Sequence, residues 1–189
     1  MPLVNGRYGP KNPHWLLNGQ PSGLSRESLP RHQVLNDGAV LTTQVMLATA
    51  LPLYAGDTVS ALTFCSGGTA ASVPTNWWVA LYDDSATPAL LGQSADQLTA
   101  AWAANTAKTL QLASAVQIAR TGVYYAALMV KAGTPPSLIG AATLTAAVTG
   151  FSGADKLLTG NSGAALTGTA PATIASPSAS AFAPYVRAT

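Results

Sequence analysis

The chain has 189 residues, 48% of them hydrophobic and only 8% charged, with a net charge of +2 and a single cysteine. That length fits one domain with an appendage and is enough for a packed core. The composition excludes a disulfide scaffold, a cysteine-built metal framework and, with no run of 18 apolar residues, a transmembrane helix. Typical soluble domains carry about 25% charged residues. So sparse a charge describes a surface partly covered by neighbours, or a protein that works outside cells.

Residues 1–38 read as an extended arm. They contain Pro2, Pro10, Pro13, Pro21 and Pro30, with glycines at 6, 9, 19, 23 and 38. Proline removes a donor and fixes φ, so neither a long helix nor a central strand fits. The opening "MPLVNGRYGPKNPHW" lacks the apolar stretch of a signal peptide, so none is expected. Leu3, Val4, Tyr8, Trp15, Leu16 and Leu17 are more apolar anchors than a free tail needs. Residues 1–32 hold Arg7, Lys11, Arg26 and Arg31 against Glu27, a net +3, and the remainder is −1. Four spaced cations are a poor nucleic-acid signal. The expectation is an arm that docks on an acidic protein surface through Arg7, Tyr8, Lys11, Trp15, Arg26 and Arg31. A solvated tail is the plain alternative.

Residues 39–189 read as an antiparallel β-sandwich, jelly-roll-like. "AVLTTQVMLATALPLY" is rich in β-branched and aliphatic residues, and "AGD" makes a turn. "TVSALTFCS" alternates with period two, placing Val59, Ala61, Thr63 and Cys65 on one face and Leu62 and Phe64 on the other. Cys65 is then a small buried hydrophobe. "WWVALYDD", "ALLGQSA", "KTLQLAS", "VQIA" and "VYYAALMVKA" follow as strand-sized runs between turn signals. The stretch "DQLTAAWAANTAKTLQL" fits strand–turn–strand, with a short alanine-rich helix as rival, so residues 93–107 are open between strand and helix. Beyond "AGTPPSLIGAA" the Gly/Ala/Ser/Thr-rich chain offers little bulk for a second core. Loops and closing strands are expected there, near "ATLTAAV" and "FAPYVRA".

Little in the chain carries chemistry. Asp83 and Asp84 point to opposite faces of a strand and cannot pair as glycosidase carboxylates; "DDSATP" reads as a turn. His14 and His32 both lie in the arm, and no nucleophile elbow, zinc-protease helix or phosphate loop is present. No catalytic residue, metal ligand or cofactor site is assigned, and an enzyme is not expected. In "TNWWVALYDD" the set Trp77, Val79, Leu81 and the set Trp78, Ala80, Tyr82 are both apolar. Such a strand is buried on both faces, or covered on one by a partner. Trp78 is the expected core residue, and Trp77 the expected contact with a protein neighbour or, less in keeping with its apolar surroundings, a glycan.

Residues 51–130 resemble a β-sandwich domain frequent in virion proteins of tailed phages of actinobacteria. The resemblance rests on "AGDTV", "WWVALYD", "LLGQSADQ", "AAWAANT", "KTLQLA" and "TGVYYAALMV". It implies a structural protein of the virion surface, made in a host cytoplasm and released by lysis, with no catalytic residue carried over. The arm-plus-body plan favours a capsid accessory or decoration protein bound to the major capsid protein. A minor tail protein bound to other tail proteins is the next reading, and a carbohydrate-binding module for host-surface attachment a third. A homo-oligomer is expected, a trimer by analogy with other virion surface proteins.

Overall fold

The structure is a computed structural model that describes residues 24–150 and 155–189. Arg7, Tyr8, Lys11 and Trp15 therefore lie outside the described residues. In chain order the elements are β1 (Arg26–Glu27), a 3-10 turn (Arg31–Gln33), β2 (Asn36–Asp37), β3 (Met46–Leu53), β4 (Thr58–Cys65), β5 (Ser72–Tyr82), β6 (Leu90–Gln93) and β7 (Ala107–Gln117). They continue as β8 (Gly122–Thr134), β9 (Ile139–Ala142), α1 (Thr145–Thr149), β10 (Thr159–Ser162), β11 (Ser178–Ala179), β12 (Phe182–Pro184) and β13 (Val186–Ala188).

Every strand pairing is antiparallel. One sheet has the order β1-β13-β4-β7, and the other β11-β10-β3-β8-β5-β6. Within these, β1-β13-β4-β7 and β3-β8-β5-β6 are the two four-stranded halves of a jelly roll. The chain crosses between sheets at nearly every step. β10 and β11 widen the second sheet beyond β3, and β12-β9-β2 forms a small third sheet.

The period-two pattern of the long strands explains the layering. Trp77, Val79 and Leu81 of β5 join Leu62 and Phe64 of β4 and Leu128 and Val130 of β8 in the main core. Trp78, Ala80 and Tyr82 join Met46, Ala48, Ala127 and Met129 on the opposite face. That second face is covered by the chain's own residues Leu158, Leu166, Ala170 and Ile174. The Gly/Ala/Ser/Thr-rich C-terminal stretch thus does close a second, thinner core, which its composition did not suggest. It can because Ala48, Ala50, Ala80 and Ala127 keep that face of the sheet shallow.

This covering segment is a strap held largely by its backbone. The Trp78 indole donates to the Thr167 carbonyl at 2.6 Å, Tyr82 to Pro171 at 2.9 Å and Tyr125 to Leu157 at 2.8 Å. Gln93 donates to Gly168 at 3.0 Å and accepts from the Ala170 amide at 2.7 Å. Buried indole and phenol groups need such partners, and a segment with few large side chains supplies them as carbonyls.

Several local expectations change. A bulge between Val59 and Ala61 rotates β4, so Val59 joins Leu62 and Phe64 in the main core instead of opposing them; one extra residue flips a strand's faces. Residues 94–106 form neither strand nor helix, although Ser94 makes an isolated bridge to Leu112. Leu98 and Asn105 take φ of 51° and 53°, left-handed values that interrupt both regular structures. "ATLTAAV" holds most of α1, with β9 just ahead of it, whereas "FAPYVRA" does form the closing strands β12 and β13.

The body begins before residue 39. Residues 24–38 belong to the body: β1 pairs with β13, and β2 pairs with β9.

Candidate functional site

Three expected contact residues lie among the described residues, and all three have partners within the chain. Arg26 grips Asp57 side-on, through Nε at 2.8 Å and Nη2 at 2.7 Å, and lies over the Tyr54 ring. Trp77 is 2% exposed, stacks on Trp102 with ring centroids 5.1 Å apart, and donates to the Ala100 carbonyl at 3.0 Å. It is a core residue, which corrects the expected surface contact and removes the platform of the glycan reading. Trp78 is 0% exposed, as expected of a core residue. The two tryptophans occupy opposite faces of one sheet, and both faces are covered.

Arg31 does face a site. Its Nε donates to Glu27 Oε1 at 2.9 Å and to the Tyr185 hydroxyl at 3.3 Å, and its side chain stays 44% exposed. Tyr185 donates to the same Glu27 oxygen at 2.8 Å. Beside this trio, on the outer face of the four-stranded sheet, is a pocket of about 350 Å³. Its polar lining is Arg31, Arg187, Thr63 and Tyr185, and its apolar wall includes Val34 and Ile139.

The register explains why these groups meet. Glu27 lies opposite Arg187, Arg187 opposite Thr63, and Thr63 opposite Thr109, one row across four strands. Cross-strand partners present their side chains to the same face. Thr63 and Thr109 share a hydrogen bond of 2.8 Å. Cys65, two residues on from Thr63, also lines the pocket and is partly buried. Burial pushes its thiol up, and Arg187 and Arg31 pull it back in part.

Sequence reasoning missed Arg187, Tyr185 and Thr63. A signal existed in "FAPYVRAT": an arginine two residues after a tyrosine, in an otherwise uncharged strand, shares that tyrosine's face.

The site carries a pH signature. Burial, then the bond to Glu27, pushes the Tyr185 hydroxyl up to about 12, against about 10 in an unfolded chain. The folded state therefore keeps a proton that the unfolded state has released. Stability present below the unfolded value is lost as pH rises through about 10 to 12. Burial raises Tyr82 and Tyr125 in the same direction. Urea midpoints are expected to fall as pH is raised from about 9 to about 11.5, and Tyr185→Phe to flatten that slope. An unchanged slope in Tyr185→Phe would contradict the assignment.

A second groove, of about 450 Å³, lies at the strap and is bordered by Asp84, Ser85, Tyr125 and Lys156. "DDSATP" is the expected turn. Asp83 accepts from the Ser85 amide and hydroxyl and the Ala89 amide, and Asp84 pairs with Arg120 at 2.8 Å. Burial alone raises the Asp83 carboxyl. Ser85, the Ala89 amide and Arg120 outweigh that and hold it below the usual range. Among the described residues, no group of three or more His, Cys, Asp or Glu side chains could hold a metal ion.

Compared with known proteins, the chain matches no family model and no curated protein.

Proposed function

We propose that the chain is a non-enzymatic structural protein of a tailed-phage virion, a capsid accessory or decoration protein anchored through its N-terminal residues. The observation that carries this reading is the contrast between residues 1–23 and the body. The body is a jelly roll that uses its own C-terminal segment to cover its sheet. Residues 1–23 join it at Leu24, beside the edge strand β1, and bring Arg7, Tyr8, Lys11 and Trp15 among four prolines. The resemblance of residues 51–130 to virion β-sandwich domains agrees with it, as does the 8% charge.

Multiple copies belong to the same proposal, with a homotrimer as the form. The second apolar face of β5 no longer argues for a partner, because the strap covers it. Sparse charge, 8% of the chain, supports self-association instead. A stable monomer in sedimentation at micromolar concentration would remove this part.

The main test separates anchoring from folding. A chain lacking residues 1–23 keeps β1 and the Arg26–Asp57 pair. It is expected to unfold like the full chain but to be absent from particles. A chain lacking residues 1–38 also loses β1 and β2 and is expected to be less stable. Full incorporation of the shorter deletion into particles would overturn the proposal.

A further inference from the structure

The pocket between the 3-10 turn, β4 and β13 holds a charge arrangement that the fold does not use. Arg26 and Asp57 neutralise each other, and Glu27 accepts from Arg31 and Tyr185. Among the described residues, Arg187 has no such carboxylate, and its Nε is shut off from solvent without a hydrogen-bond partner. A buried donor left unmet is costly, and such groups are rare enough in folded proteins to call for an explanation. Counting Arg31, Arg187 and Glu27, the pocket carries one positive charge in excess.

We propose that this pocket binds a monocarboxylate with a small apolar body. A carboxylate supplies one negative charge, which neutralises the excess; a doubly charged phosphate overshoots it. The same chain already displays the geometry required, since Arg26 holds Asp57 side-on through Nε and Nη2. Arg187 lines the pocket, and on binding its side chain turns to bring Nε to the ligand and takes the two oxygens in the same way; charge-assisted pairs of this kind are the strong ones. The Tyr185 hydroxyl and Arg31 flank it on the side of Glu27. Val34, Ala107 and Ile139 line the rest, so the apolar body leaves water as the carboxylate is bound. A volume of about 350 Å³ is at the small end of ligand pockets, which suits a branched short-chain acid or the C-terminal residue of a peptide.

The experiment follows the Arg187 Nε–H resonance in the full-length protein labelled with nitrogen-15. The probes are isovalerate, a short peptide ending in valine with a free carboxylate, the same peptide amidated, and inorganic phosphate. Saturable shifts at Arg187 with isovalerate or the free-acid peptide, and none with the amidated peptide, are the expected result. Isovalerate binding alone assigns a free acid; tighter binding of the free-acid peptide assigns a chain terminus. Arg187→Gln, followed through the backbone amide resonances of Thr63 and Tyr185 because it lacks the Nε–H, is expected to weaken binding by about tenfold or more, the loss of one charge-assisted pair. Because Arg187 lies on an inner strand, Val34→Glu is the second variant. It places a competing carboxylate at the pocket wall and is expected to abolish the shift. Failure of every carboxylate to saturate, or phosphate binding as well as isovalerate, would overturn the inference.

Discussion

Trp77→Ala and Trp78→Ala are each expected to destabilise the protein by about 3–5 kcal/mol, the range for removing a large aromatic from a packed interior. The losses arise in different layers. Trp77 sits between the two sheets, stacked on Trp102, and its removal opens a cavity beside Trp102 and Val130, the cross-strand neighbour of Trp77. It also strips Trp102 of its stacking partner, and such pairs contribute about 0.5–1.5 kcal/mol beyond burial. Trp78 sits under the strap, and its indole supplies a 2.6 Å bond to Thr167. Its removal should therefore loosen residues 157–171 before the sandwich itself. Limited proteolysis under native conditions distinguishes the two. Trp78→Ala should be cut in the strap and Trp77→Ala should not, although thermal unfolding ranks both as severe. A Trp78→Ala protein with wild-type stability and an uncut strap would show that the second core contributes little.

Ending the chain at Tyr185 is expected to abolish cooperative folding. The missing strand, β13, is only three residues long, but it lies between β1 and β4. Val186 and Ala188 are fully buried in the main core. Thr189 exchanges backbone hydrogen bonds with Ala61 and accepts another from Ser60 at 2.7 Å. Without β13, β4 becomes an edge, its Leu62 and Phe64 lose their cover, and β1 has no strand to pair with. Loss of the near-ultraviolet circular dichroism of the buried tryptophans, or a broad non-cooperative melt, is the outcome to look for. A sharp transition in the truncated protein would mean that the sheet closes without β13.

Much of this architecture was legible in the sequence. The runs from residue 46 to 134 alternate strongly enough to give most of the strands, and the doubly apolar pattern of residues 77–82 correctly demanded cover on both faces. Alternation gives parity but not direction, so it could not say which tryptophan faces the other sheet. Nor could it name the cover. The strap has few large apolar residues, chiefly Leu158, Leu166 and Ile174, and binds through its carbonyls, which any residue possesses. β1 was hidden for a related reason. Two residues between glycine and proline carry no strand pattern, and what makes them a strand is β13, with the Asp57 carboxylate that holds Arg26. The pocket was half legible. Arg31 was singled out for its charge, but Arg187, which lies across the register from Glu27, becomes its neighbour only once the sheet is closed.

The closure of the four-stranded sheet also sets an order of events during synthesis. Glu27 hydrogen-bonds to Tyr185 across 158 residues of sequence, and Arg26 is in register with Ala188. β1 therefore has no place to dock until Val186–Ala188 has left the ribosome. A nascent chain can assemble the β3-β8-β5 ladder earlier, because those strands are already out. Such non-local pairing places the protein among slow folders, on the order of milliseconds to seconds. Throughout that interval Glu27 lacks its Tyr185 partner, and β1 is the last strand of its sheet to be paired.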